Sequence, residues 1–225
     1  MPIVRLAALL LPLLFTSACA TVTPAEEPVP REEPLLIGTL PDRLESFDLQ
    51  GYKFFEDESG GYSVRYANTH KRRIADVYIY PVAEENSKLA HNQLVLGSTK
   101  ATIQAIGEAA RQGHYANFNV INAGTQAYGM RTVARVQATY LRQNLASYTL
   151  LYQTEHQGTL VKIRITMPDN DSNRSNLEWD NFAEQMFARV IAQLDESLPA
   201  GGQISQSGPV STPQAAMPDD MVNRF

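Results

Sequence analysis

The sequence has 225 residues, a formal net charge of −5 and one cysteine. A mildly acidic chain lacks the basic composition of nucleic-acid-binding proteins, so we expect no nucleic-acid partner. Because Cys19 is the only cysteine, no disulfide can form within the chain, and burial of apolar side chains must hold the folded part together.

The first eighteen residues have the pattern of a targeting signal. Arg5 supplies one positive charge, residues 6–15 form a short apolar run, and the small residues Ser17 and Ala18 follow. This arrangement is typical of secretory signals. The run is much shorter than the roughly 20 apolar residues that a membrane-spanning helix needs. We therefore predict that residues 1–18 are a signal peptide.

The motif Thr16-Ser17-Ala18-Cys19 resembles the lipobox of bacterial lipoproteins. The resemblance implies cleavage before Cys19, which then carries a thioether-linked diacylglycerol and an amide-linked acyl chain. Two or more acyl chains are enough for stable anchoring in a bilayer. Ala20, not aspartate, follows the cysteine, and this implies the outer membrane, on its periplasmic face. Thr16 stands where the lipobox usually has an aliphatic residue, and the alternative is a soluble-secretion signal that is cut after Ala20.

Three regions follow the predicted signal. Residues 19–40 are rich in proline and glutamate and poor in aromatic residues, so we expect a flexible tether that carries the lipid. Residues 41–195 contain the regular hydrophobic patterns and are predicted to form a single domain. Residues 196–225 are dominated by proline, glycine, serine and glutamine, and we expect a disordered tail.

Residues 41–195 predict an α+β fold. Two helical regions are indicated: 87–112, which Gly97 and Gly107 could divide into two helices, and 175–194, where Ser175-Asn176-Leu177-Glu178 has the sequence of a capping box. We expect a mainly antiparallel sheet of six to seven strands packed by these two helical regions. Alternating or apolar runs predict strands at 47–55, 62–66, 73–82, 115–123, 130–141, 148–154 and 159–167.

One predicted strand, together with the order of the predicted strands and helices, resembles a second known family. The strand Gly61-Tyr62-Ser63-Val64-Arg65-Tyr66 after an acidic turn, the four later strands and the closing amphipathic helix are similar to the PsbP-like fold of photosystem extrinsic proteins and bacterial lipoproteins. The resemblance covers residues 47–194, although Ala67 and Asn68 stand where a proline is common. It implies a binding or assembly role without catalysis, while a fold alone does not fix a function.

The best candidate for a metal site is the segment ahead of the last helix. Asp169, Asp171 and Asn173 offer oxygen ligands at alternate positions, as a hard cation such as Ca²⁺ requires. However, Arg174 occupies the position at which a calcium loop needs glycine for its sharp turn. The favoured interpretation is a polar loop, and we predict no metal.

Two tyrosines are candidates for a binding surface. Tyr78 and Tyr80 alternate with Val77 and Ile79 on a predicted strand, so they point to the opposite face of the sheet. Their amphipathic rings suit a recognition surface, but they would be ordinary core residues if helices covered both faces of the sheet. The core interpretation is the one we favour from sequence.

The sequence contains no phosphate loop, dinucleotide fingerprint, nucleophile elbow or H-E-x-x-H motif. The four histidines are isolated from one another along the chain, and we expect no cofactor. The predicted function is a non-catalytic binding or accessory module of the cell envelope. Its partners would be the lipid bilayer, through acylated Cys19, and an envelope protein. An envelope hydrolase and a structural subunit of an envelope complex are the alternatives.

Overall fold

The computed structural model of the chain describes residues 37–55, 60–129, 131–175 and 177–197. The predicted signal peptide, Cys19, most of the predicted tether and nearly all of the predicted tail lie outside these residues. Within them, no helix combines the length and the apolar composition needed to cross a membrane.

In the described part of the chain, eight antiparallel strands form one open sheet in the order β1-β2-β3-β4-β8-β7-β6-β5. The fold is therefore α+β, but with eight strands instead of the predicted six to seven. The additional strand, β1, has two residues, too few to show an alternating pattern. The strands are β1 (Arg43–Leu44), β2 (Phe47–Phe54), β3 (Tyr62–Asn68), β4 (Arg73–Pro81), β5 (Ala116–Tyr128), β6 (Arg131–Arg142), β7 (Leu145–His156) and β8 (Thr159–Pro168).

The hairpin of β7 and β8 occupies the middle of the sheet. Gln157 and Gly158 form its two-residue turn, and both have positive φ angles, 49° and 76°. Two consecutive residues with positive φ are typical of the turn type whose twist matches that of paired strands. The turn sets the register from His156 opposite Thr159 to Ser147 opposite Pro168. Residues far apart in sequence, on β4 and β7, thereby become neighbours of β8 on either side.

The described residues contain three α-helices: α1 (His91–Arg111), α2 (Asp171–Arg174) and α3 (Glu178–Ser197). α1 continues through Gly97 and Gly107, so the region does not divide into two helices. The last helix is predicted to start at Ser175, but α3 begins at Glu178, and the separate helix α2 ends just before Ser175. The indole N–H of Trp179 donates to the carbonyl oxygen of Asn173 at 2.7 Å and holds this junction together.

α3 packs against one face of the sheet, here called the α3 face. Its ring and aliphatic side chains are sealed from solvent: Phe182, Met186 and Val190 have no exposed surface. Burying each such side chain stabilises the fold by about 1.5–3 kcal/mol. The strands contribute a continuous apolar layer that includes Phe47, Val64, Tyr66, Val77, Leu150, Tyr152, Ile163 and Ile165.

α1 crosses the opposite face, here called the α1 face, where it lies against β5, β6 and β7. One end of α1 packs through Leu94 on Val82 and Leu160. The other end packs through Ile106 on two tyrosines, Tyr115 and Tyr140. The part of this face formed by β3, β4 and β8 stays half-buried, because α1 does not extend over all of it.

Candidate functional site

The half-buried part of the α1 face carries a group of cations that the register of three strands brings together. Arg65 on β3 lies opposite Asp76 on β4, which lies opposite Arg164 on β8. In the next row, Tyr78 lies opposite Lys162. Directly opposite side chains on one sheet face are about 4.5–5.5 Å apart at their Cβ atoms. We call Arg65, Lys162 and Arg164 the cation cluster.

Two of these cations are held by side chains of the same face. Arg65 forms a two-point ion pair with Asp76, with its Nε 2.7 Å from Oδ1 and its Nη2 3.2 Å from Oδ2. Arg164 donates from Nη2 to the hydroxyl oxygen of Tyr140 at 3.1 Å, and it is buried beside Tyr115. Asp76 therefore pairs with Arg65, and Arg164 contacts the tyrosines of this face.

Lys162 is the distinctive member of the cluster. Its ammonium group lies 4.6 Å from the ring centroid of Tyr78 and 5.6 Å from that of Tyr80. Among the described residues, no carboxylate forms an ion pair with it. Burial, together with the neighbouring charge of Arg164, lowers the pKa of Lys162 to about 8. The ammonium form still predominates at neutral pH, held by two aromatic rings.

Gln153 lies opposite Lys162 on β7. Its side chain has no exposed surface, and neither amide atom finds a hydrogen-bond partner among the described residues. A buried amide without partners costs about 1–3 kcal/mol. Among the described residues, Lys162, which has no carboxylate partner, thus lies opposite Gln153, whose amide has no hydrogen-bond partner.

The two tyrosines predicted from sequence lie at the centre of this region. Both point away from the buried side chains of Val77 and Ile79, as predicted, and both are half-buried. Tyr78 stacks on Phe55 at 6.3 Å between ring centroids, and the hydroxyl group of Tyr80 lies 3.5 Å from that of Ser98 on α1. Burial raises the pKa of the Tyr78 hydroxyl group.

The segment that was the weak candidate for a metal site makes structural contacts in the described residues. Asp169 forms a two-point ion pair with Arg174, at 2.6 and 2.7 Å. The side chain of Asn173 accepts from Arg73 at 2.6 Å and donates to the carbonyl oxygen of Pro168 at 2.7 Å. The side chain of Asp171 is not described. No group of three or more metal-ligating side chains occurs among the residues that the structure describes.

A separate, concave region lies at the end of the sheet where the β7–β8 turn meets the start of α1. We call it the turn pocket, a cavity of about 280 Å³. His91 and His156 are far apart in the sequence, but both line this pocket, because the fold places the start of α1 beside the end of β7. The pocket is lined by His91, Arg131, Thr132, Glu155, His156 and Gln157.

The cation cluster is not among the sites predicted from sequence, although Lys162 and Arg164 are two residues apart in the predicted strand 159–167 and therefore share one side of it. Alternating basic residues in a long apolar strand are an available signal. That signal does not tell whether the charges face solvent or tyrosines of a neighbouring strand, which depends on pairing between distant segments.

No protein-family model matches the sequence, and comparison with curated proteins finds no similar sequence. Among solved structures, the chain is similar to PsbP from Synechocystis sp. PCC 6803, with a TM-score of 0.43, 13% identity and coverage of 63% of this chain and 91% of that chain. It is also similar to a Pseudomonas aeruginosa protein of unknown function, with a TM-score of 0.36, 10% identity and coverage of 64% and 85%.

A third similar structure is LpqN, involved in cell envelope biogenesis in Mycobacterium tuberculosis, with a TM-score of 0.32, 10% identity and coverage of 65% of this chain and 80% of that chain. A PsbP structure, from the family to which the sequence bears a resemblance, is thus among the structures to which this chain is similar. All three TM-scores are below 0.5, and the similarities carry no conclusion about function.

Proposed function

We propose that this protein is a lipoprotein anchored at the periplasmic face of the outer membrane, whose α+β domain binds an acidic envelope protein without catalysing a reaction. The lipobox-like motif that ends at Cys19 supports the anchor. The cation cluster carries the proposal for binding, because it concentrates positive charge on a half-buried surface of a chain whose net charge is −5.

The charges of the cluster explain why the partner would be acidic. Among the described residues, the β3–β4–β8 part of the α1 face has three cations around one carboxylate, Asp76, which pairs with Arg65. Holding Lys162 partly away from water costs free energy unless an anion compensates its charge. A carboxylate of a partner that approached Lys162 would supply that compensation and would also offer acceptors for the N–H groups of the cluster.

The binding part of the proposal is tested by site-specific photo-cross-linking in intact cells. A photoreactive residue replaces Ile74, which is half-buried beside the cluster on the α1 face. The control position is Leu177, which is 72% exposed next to α3. We expect a defined protein adduct from position 74, none from position 177, and loss of the adduct when Lys162→Gln is added. Equal adducts at both positions, or an adduct that survives Lys162→Gln, would contradict binding through the cluster.

The anchor is tested in the same cells with Cys19→Ala. We expect the variant to leave the outer-membrane fraction and to appear as unprocessed precursor or soluble periplasmic protein. The wild-type chain should be labelled by a radioactive fatty acid and the variant should not. Membrane association or labelling that persists in Cys19→Ala would refute the lipid anchor.

A further inference from the structure

The turn pocket has an arrangement of charges that the proposed function does not use. Both of its nearby carboxylates are occupied by donors of the protein. Glu155 accepts from the backbone N–H of Gly158 at 2.7 Å through Oε1, and its Oε2 lies 2.9 Å from Nδ1 of His91. Asp195 accepts at Oδ1 from the side chain of Gln157 at 2.8 Å, and the same oxygen lies 2.7 Å from Nε2 of His156.

Donors, in contrast, remain available at the pocket. The guanidinium group of Arg131 forms no ion pair or hydrogen bond with the described residues, and its side chain is half-buried in the pocket wall. A guanidinium group presents five N–H donors in a planar fork that fits carboxylate and phosphate groups. His156 also lines the pocket, where its Nε2 lies 2.7 Å from Oδ1 of Asp195.

The helix next to the pocket adds to this positive character. His91, a pocket residue, is the first residue of α1, which is 21 residues long. The first turn of α1 contains no acidic residue, and Ala90 at the N-cap has no side-chain oxygen that could accept from a helix N–H, although its own backbone N–H donates to Oε1 of Gln93 at 3.2 Å. Helix N-termini carry a partial positive charge and unsatisfied N–H groups, which favour anions.

From the cavity, the Arg131 donors and the helix end, we infer that the turn pocket is a binding site for a compact oxyanion, a phosphate or carboxylate group of a small molecule. Arg131 supplies the charge and the forked donors. The Glu155 and Asp195 carboxylates hold the two imidazole rings and the Gln157 side chain in place. This site is independent of the lipid anchor and of the cation cluster.

Nuclear magnetic resonance of the imidazole rings tests the inference directly. The chain has four histidines, of which His91 and His156 line the pocket, and His70 and His114 lie elsewhere and serve as internal references. The full chain in detergent is titrated at constant pH with sodium phosphate or with sodium acetate, against sodium chloride at the same ionic strength. We expect saturable shifts of the His91 and His156 signals with at least one of the two anions. Saturation with phosphate or with acetate identifies which type of oxyanion the pocket binds.

Two matched variants separate a specific site from general charge effects. We expect Arg131→Gln to weaken binding of the saturating anion by about tenfold or more, because it removes the charge-assisted hydrogen bonds. Arg142→Gln makes the same change at the other end of β6, roughly 36 Å away along the strand, and should leave the affinity unchanged. No saturation with either anion, equal shifts of all four histidines, or equal binding by wild type and Arg131→Gln would each overturn the inference.

Discussion

The two faces of the sheet are built from the same alternating strands, yet they differ in what they bury. The α3 face buries a continuous layer of rings and aliphatic chains, to which Phe182 and Met186 of α3 contribute with no exposed surface. The α1 face places Arg65, Asp76, Lys162 and several tyrosines on a half-buried surface. The large apolar cluster is on the first face, whereas the buried Gln153 amide, which has no hydrogen-bond partner among the described residues, is on the second.

The difference follows from the helices. The apolar stripe of α3 meets the central strands, and Phe182, Met186 and Val190 form one apolar cluster with them. The buried side chains of α1 are mixed, with Thr99 and Thr102 between Val95 and Ile106, and both threonines turn their hydroxyl groups back onto the helix backbone. Among the described residues, α1 lies mainly against β5, β6 and β7, and Asp76 on β4 and Lys162 on β8 stay half-buried. A half-covered sheet face is thus a place where a small domain can keep charges available for an external partner.

The largest effect of a substitution on stability is expected on the α3 face. The ring of Phe182 lies 4.9 Å from that of Phe47 and 5.7 Å from that of Tyr66, between centroids. We expect Phe182→Ala to lower the free energy of unfolding by about 3–5 kcal/mol, because it leaves a cavity in a sealed core. Urea unfolding followed by the fluorescence of Trp179, the only tryptophan, measures the loss.

Leu177→Ala is the control for this measurement, since Leu177 is 72% exposed beside the same helix. It should change stability by no more than about 0.5 kcal/mol. If the two variants were equally stable, α3 would not be packed as the structure shows.

An intermediate effect is expected where the α1 face is tightly packed. A Cβ atom at Gly61 would lie 2.7 Å from the Cβ atom of Tyr80 and 2.9 Å from the carbonyl oxygen of Ile79. We expect Gly61→Ala to lower the free energy of unfolding by about 1–3 kcal/mol through overpacking. Gly97→Ala, in α1, meets no atom within 4 Å and should be neutral or stabilising by up to about 1 kcal/mol. Equal stability of both variants in thermal unfolding would show that Tyr80 is loosely held.

The smallest expected effect concerns charge at the cation cluster. Burial lowers the pKa of Lys162 to about 8, whereas an unfolded lysine has a pKa of about 10.4. Between these values the unfolded chain binds more protons at this site than the folded chain, so this group makes the wild type more stable as pH rises. We expect Lys162→Met to be more stable than wild type at pH 7 by about 1 kcal/mol, and the difference should shrink from about pH 8 to pH 10.

Urea unfolding of both proteins across this pH range measures the difference. Lys100→Met, which removes an exposed lysine of α1, is the matched control. The same pH trend in both variants would show that the surroundings of Lys162 on the α1 face do not lower its pKa.

The sequence predicted the elements of both faces better than their contacts. In the predicted strand 159–167, Val161, Ile163 and Ile165 alternate with polar residues, and all three are buried on the α3 face. The start of α3 was predicted three residues early, because the serine-glutamate pattern that suggests a cap does not reveal that α2 ends just before it. β1 was missed because a strand of two residues exists only through its pairing with β2.

The candidate sites were predictable only in part. The sequence alone determined that Tyr78 and Tyr80 share one side of a strand, since side chains alternate along any extended chain. Only the tertiary structure decided that Lys162 lies between their rings and that His91 and His156 meet at one pocket. Register is set by turns and by packing of the whole sheet, so it joins residues from distant segments that no local pattern connects.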